Sequence, residues 1–232
     1  MATVLTALPN LTALTLDGHL LGDEVLTGLG ALPNRFTTLD LTGDAFTPEG
    51  VDALVNSPAA ATLQRLVMSI GGSSARAATR TLVRGRQLGA LRTLHLSGSL
   101  LHEREPAPEV GHAFAESAFA GSLEELSMPL GRLGPEGAAA LAAAPFRRLR
   151  HLALYGNGVG DRGTVALARS PVVATLRSLD LDNNEIGDAG ALALAESPYL
   201  TGLEHLALRH NRFAERAARA LRKRFASALY DS

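Results

Sequence analysis

Residues 176–197 read LRSLDLDNNEIGDAGALALAES, and the spacing of the apolar residues changes part-way through this stretch. Leu179 and Leu181 alternate with polar residues, which is typical of a strand with one buried face. Further on, Leu192, Leu194 and Ala195 follow a helix-like spacing. The stretch therefore predicts one strand followed by one helix.

A turn of the form Asn-x-hydrophobic-Gly-Asp-x-Gly joins these two elements, and it occurs at 157–163 and again at 184–190. An Asn side chain can bond backbone groups within such a turn. We therefore predict a structural role for the turn residues Asn157, Asn184 and Asn211. Asp161 and Asp188 stand where the N-cap of the following helix is expected.

The strand half of this pattern recurs along nearly the whole chain. The motif LxxLxL, or a close variant, begins eight times, at Leu11, Phe36, Leu63, Leu91, Leu123, Leu149, Leu176 and Leu203. Successive starts are 25 to 32 residues apart, close to the window of about 20 to 29 residues that is typical of leucine-rich repeats. We therefore predict a solenoid of about eight coils, each made of one strand and one helix.

The quoted stretch resembles the ribonuclease-inhibitor-type subfamily of leucine-rich repeats, and the closing NRFAERAARALRKRF resembles the end of bacterial repeat proteins of that type. The resemblance implies an α/β right-handed solenoid with a parallel sheet on the concave face and helices on the convex face. The first five coils depart from the pattern, since the Asn position holds His19, Asp44, Gly71, Ser99 and Gly131.

We expect residues 1–232 to form a single repeat domain. Residues 1–10 are interpreted as an N-terminal cap or as the remnant of an upstream repeat. Residues 102–109 are polar, hold two prolines and lengthen the fourth coil, so they are predicted to form an insertion loop. Residues 212–232 are predicted to contain a capping helix with Ala217, Ala218, Leu221 and Phe225 inward and its basic residues outward.

Composition excludes several classes of function. The chain has no cysteine, which excludes disulfides, thiolate zinc sites and cysteine nucleophiles. Lys223 is the single lysine, so no phosphate-binding GxxxxGK[ST] loop can form. The net charge is −1, and the sequence shows no leader and no membrane-spanning apolar run. We expect a cytoplasmic protein without membrane contact, and nucleic acid is a disfavoured partner.

The charges alternate in blocks along the chain, for example six Arg and no acid in 62–102. In a solenoid each block lies beside its sequence neighbours, so we predict attraction between adjacent coils.

Residues 158–163 match the dinucleotide-binding motif GxGxxG, but coil seven repeats most of the same residue pattern, so we interpret it as the repeat's own turn. No catalytic constellation is visible, and His151 and His205 are expected about 10 Å apart, too far to share a metal. The sequence therefore predicts no enzyme, no cofactor and no metal.

Outward strand positions of coils six to eight offer the best candidate site. They predict a protein-binding concave surface formed by His151, Tyr155, Asp180, Asp182, His205 and Arg209. Tyr and Arg are the residue types enriched at interface hot spots. A second interpretation is that Asp182 and Arg209 form only a solvated pair between neighbouring strands.

The favoured function is a non-catalytic protein-interaction module, monomeric in solution. One alternative is self-assembly, in which the acidic first coil of one copy meets the basic last coil of another, head to tail. Another, known among similar repeats, is regulation of an enzyme such as a GTPase.

Overall fold

The computed structural model describes residues 10–17, 22–33, 35–42, 46–70, 74–97 and 106–229. Within them, eight parallel strands form one sheet whose spatial order follows the sequence. The strands are β1 Ala13–Asp17, β2 Thr38–Thr42, β3 Arg65–Ser69, β4 Thr93–Ser97, β5 Glu125–Ser127, β6 His151–Ala153, β7 Ser178–Asp180 and β8 His205–Ala207. The predicted number of coils is confirmed.

A helix follows every strand, and helices of successive coils pack against one another. Eight α-helices lie within the described residues: α1 Asp23–Gly30, α2 Pro48–Val55, α3 Ala75–Val83, α4 Pro108–Ala115, α5 Gly134–Ala143, α6 Gly160–Ala168, α7 Asp188–Ala195 and α8 Glu215–Phe225. The predicted α/β solenoid, with its sheet on the concave face and its helices on the convex face, is therefore confirmed.

One row of leucines runs through the sheet from coil to coil. The central leucines of all eight strands are partners in register: Leu14, Leu39, Leu66, Leu94, Leu126, Leu152, Leu179 and Leu206. Seven of them are buried, and Leu14 packs against the same core. Burying one leucine stabilises a fold by about 2 kcal/mol. The alternate residues of each strand lie on the concave face, which places the candidate surface there.

A ladder of asparagines fixes the turns of the last three coils. Asn184 is fully buried, and its Oδ1 accepts hydrogen bonds from Asn157 N at 3.0 Å and Val159 N at 3.2 Å. Its Nδ2 donates to Leu154 O at 2.8 Å and Asp182 O at 3.0 Å. Asn157 and Asn211 bond their neighbouring turns in the same manner. The backbone that carries the candidate surface is therefore held rigidly.

The first-turn aspartates act on the next coil rather than on their own helix. Asp161 lies inside α6, and its Oδ1 accepts from Gly187 N at 2.7 Å and Gly190 N at 2.8 Å, at the start of α7. Asp188 accepts from Ala214 N at 2.6 Å just before α8. The prediction that these residues cap their own helices is wrong, because each aspartate lies within the first turn of its helix rather than before it, and its carboxylate bonds the open N–H groups of the adjacent coil.

The described residues include only part of the two ends and of the predicted insertion loop. Residues 1–9, 102–105 and 230–232 lie outside the described residues, and α4 begins at Pro108, inside the range predicted as a loop. At the carboxyl end, α8 buries three of the four residues predicted to point inward, whereas Ala218 is only half-buried. Beyond it, Ala228 O accepts from Leu206 N at 2.7 Å, and Leu229 forms a parallel bridge with Leu206. The closing segment therefore covers the edge of β8.

Ion pairs connect the coils to each other. Among the described residues, eight of nine ion pairs join side chains of adjacent coils. Examples are Arg92 with Glu124 at 2.9 Å and Arg162 with Glu136 at 2.6 Å. This pattern agrees with the predicted attraction between neighbouring charge blocks, although each exposed pair contributes less than about 1 kcal/mol.

Candidate protein-binding surface

Tyr155 directly follows the buried Leu154 at the carboxyl end of β6, and it is the anchor of the candidate surface. With 37% exposure, it is the one exposed large hydrophobic side chain among the described residues. Its carbonyl oxygen accepts from Leu130 N at 2.8 Å and from Asn157 Nδ2 at 3.2 Å. A phenol ring is thus presented to solvent on a fixed backbone.

Arg209 occupies the same turn position two coils further on, and a buried carboxylate holds it. Asp182 Oδ1 accepts from Arg209 N at 2.6 Å, and Asp182 Oδ2 accepts from Arg209 Nε at 3.0 Å. The Asp182 side chain is 8% exposed, whereas that of Arg209 is 48% exposed. Asp182 therefore orients Arg209 and is itself too buried to contact a partner. The guanidinium ends in solvent in a fixed orientation.

Asp180 lies half-buried on β7 beside this pair. Its Oδ1 accepts from Asp182 N at 2.9 Å. Burial raises the pKa of this carboxyl group above its usual range, against the hydrogen bond from the Asp182 backbone, which lowers it. Residues around it line a shallow cavity of about 310 Å³ that includes Ser178, His205 and Ala207. Asp180 is thus a partly desolvated acceptor at the floor of the surface.

Of the two predicted histidines, His205 lines this cavity and His151 does not. His151 and His205 are both exposed, and Ser178 of β7 lies between them in register. Another histidine, His95 on β4, forms a side-chain hydrogen bond with Glu125, with 2.7 Å between Nε2 and Oε1. No group of three potential metal ligands occurs in the part of the chain that the structure describes. The arrangement offers hydrogen bonds and charge for recognition.

Three arginines lie at the side of the sheet where the strands begin, and the sequence analysis did not single them out. Arg147, Arg148 and Arg150 precede β6, are exposed, and line a cleft of about 400 Å³. They belong to another of the alternating charge blocks, residues 147–177, which holds six Arg and one acid. Such blocks were interpreted only as a source of attraction between coils. Aligning the residue just before each strand would have found Arg150, because that position shows which charges lie side by side.

Comparison with known proteins supports the repeat architecture. A family model for leucine-rich repeats matches residues 148–168 and 174–195, the coils that carry most of the candidate surface. The chain folds as a leucine-rich repeat solenoid. The repeats without the turn asparagine lie outside the matched residues.

A Bacteroides fragilis protein of known crystal structure is a structural neighbour of this leucine-rich repeat chain. The TM-score is 0.55 at 15% sequence identity, and the alignment covers 96% of this chain and 66% of that protein. The chain thus spans slightly less than two thirds of its neighbour's length. At this identity the likeness concerns the fold alone.

No curated protein has a sequence that matches this chain. Within the described residues, none of the helices combines the length and the apolar character needed to cross a membrane.

Proposed function

We propose that the chain is a non-catalytic module that binds a protein partner on the concave surface of coils six to eight. Tyr155 inserts into the partner, and Arg209 bonds a carboxylate or carbonyl group of it. The observation that carries the proposal is the combination of an exposed, backbone-fixed tyrosine with an arginine oriented by a buried carboxylate.

Pre-organisation is the physical reason why this surface favours binding. An interface loses about 0.5–1.5 kcal/mol for each flexible side chain that it immobilises. The Nε of Arg209 is already bonded to Asp182, so much of that loss has occurred on folding. Tyrosine contributes large contact area with few rotatable bonds. The small residues Ala153 and Ala207 lie between the larger side chains and leave room for a partner.

The length and layout of the coils also support a finer assignment. The motifs of the two matched coils begin 27 residues apart, and each coil contains a full α-helix. We therefore place the chain with the ribonuclease-inhibitor-type repeats, whose convex face is helical.

The test is affinity capture from a lysate of the organism that encodes the chain, with the double variant Tyr155→Ala, Arg209→Gln. In glutamine, Nε2 stands where arginine has Nε, so the bond to Asp182 is kept while the guanidinium is lost. Arg169→Gln on the convex side is the matched control. We expect a protein retained by the native chain and the control, and lost by the double variant at an unchanged melting temperature. Equal retention by all three chains, or none by the native chain, would overturn the proposal.

A further inference from the structure

A column of charged side chains runs along the edge where the strands begin. Backbone hydrogen bonds of 2.7–2.8 Å connect the residue before each strand to its counterpart in the preceding coil. From coil three to coil eight these residues are Gln64, Arg92, Glu124, Arg150, Arg177 and Glu204. Because neighbouring strands are about 4.8 Å apart, each side chain in the column lies beside the next.

Ion pairing within this column leaves one arginine out. Arg92 pairs with Glu124 at 2.9 Å, and Arg177 pairs with Glu204 at 2.9 Å. Arg150 lies between these two pairs, and no ion pair within the described residues engages it. Its single acidic neighbour in the column already has a partner, and its other neighbour is a cation. The order of charges thus leaves Arg150 uncompensated.

Two further arginines increase this excess charge. Arg147 and Arg148 lie in the segment between α5 and β6 that also contains Arg150. Both are exposed, and neither has an ion-pair partner among the described residues. With Arg150 they place three uncompensated positive charges around the cleft of about 400 Å³. Clustered like charges repel one another, so an arrangement without a counter-charge is unfavourable until an anion binds.

The floor of the cleft is rigid. Thr175 Oγ1 donates to Leu149 O at 2.7 Å across the two coils. The N–H groups of Arg177 and Ser178 both donate to Arg150 O, at 2.7 Å and 3.0 Å. The backbone of Arg150 is therefore fixed, and its guanidinium is presented from a stable base.

We propose that this basic cleft, defined by Arg147, Arg148 and Arg150, binds an acidic peptide segment of a protein partner. Guanidinium groups bind carboxylates through paired hydrogen bonds. The three cations are spread along an open cleft, which suits several successive carboxylates better than one compact anion. The lining residues include no aromatic side chain on which a nucleic-acid base could stack. This site is separate from the concave surface and does not depend on Tyr155 or Arg209.

The experiment measures fluorescence anisotropy of a labelled hexaglutamate peptide titrated with the full chain at low and at moderate salt. The test variant is Arg147→Gln, Arg148→Gln, Arg150→Gln. The matched control, Arg80→Gln, Arg86→Gln, Arg169→Gln, removes the same number of exposed, unpaired arginines elsewhere. Hexaglutamine and a short oligouridylate serve as comparison probes, and Tyr155→Ala serves as an independent variant.

We expect the native chain to bind hexaglutamate, to bind hexaglutamine far less, and to lose affinity as salt increases. The test variant is expected to bind about tenfold more weakly, a change of about 1.4 kcal/mol shared by the three lost contacts. The control and Tyr155→Ala are expected to stay within about twofold of the native chain. Equal weakening by both triple variants, tighter binding of oligouridylate, or no binding by the native chain would overturn this assignment. None of these results bears on the concave surface.

Discussion

Asn184→Ala tests how the turn ladder stabilises the solenoid. The substitution removes one side chain that bonds four backbone groups in a fully buried position. Asp182 O keeps a second donor, Gly156 N, at 3.0 Å. Asn157 N, Val159 N and Leu154 O lose the bond that Asn184 provides. The change therefore leaves three buried polar groups to find water or stay unpaired.

The expected loss follows from these groups. A buried donor or acceptor left unpaired costs about 1–3 kcal/mol, and partial relaxation of the turn lowers the sum. We expect Asn184→Ala to reduce the free energy of unfolding by about 3–5 kcal/mol. Asn211 is half-buried in the last coil, where water can replace its bonds, so Asn211→Ala is expected to cost only about 1–2 kcal/mol.

Urea denaturation followed by circular dichroism measures both values. Thr201→Ala, an exposed position, is the control and is expected to change stability by less than about 0.5 kcal/mol. If Asn184→Ala lost less than about 1 kcal/mol, or no more than Asn211→Ala, the ladder would not stabilise the turns as argued.

Three more predictions concern single side chains. Asp161→Ala is expected to destabilise the chain by about 1–2 kcal/mol because it uncaps α7 of the next coil, whereas Asp161→Asn keeps an acceptor and is expected to cost less than half as much in thermal unfolding. Gly111→Ala is expected to unfold at a clearly lower temperature, since its new methyl group would overlap Gly137 O, while Gly28→Ala meets no atom within 4 Å and is expected to be neutral or stabilising by up to about 1 kcal/mol. Partial burial raises the pKa of Asp180, so its half-buried carboxyl stabilises the fold when protonated, and this contribution is lost as pH rises through the folded-state pKa. Asp180→Asn is therefore expected to be more stable than the native chain at about pH 7, with the difference vanishing at about pH 3, and an equal difference at both pH values would contradict this cause.

Most of the fold could be predicted from the repeat pattern, because the spacing of apolar residues in a strand or a helix is a local property of the sequence. The leucine ladder through Leu179 and Leu206 follows from the LxxLxL spacing, and eight motifs gave eight strands. The hydrogen bond between the Asp161 side chain and Gly187 N is not a local property, since it joins two coils. That contact joins atoms 26 residues apart, so the sequence indicates the right residue type while the partner depends on how closely two coils stack.

The candidate surface was predictable as a set of outward positions but not in its internal order. Tyr155 is exposed and Arg209 extends into solvent, as the strand alternation suggested. The burial of Asp182 could not be inferred, because the turn after β7 directs its carboxylate toward the Arg209 backbone. The basic cleft was missed for the same reason: Arg150 is uncompensated only once the register fixes which charges are neighbours.

Site-specific photo-crosslinking detects directly whether a partner contacts the concave surface. Benzoylphenylalanine replaces Tyr155 in one chain and the exposed Glu196, at the end of α7, in another. Both chains are irradiated in the same lysate, and unlabelled native chain is added as competitor. We expect a crosslinked protein at position 155 that the competitor removes, and none at position 196. A competed crosslink at position 196 without one at position 155 would contradict this expectation.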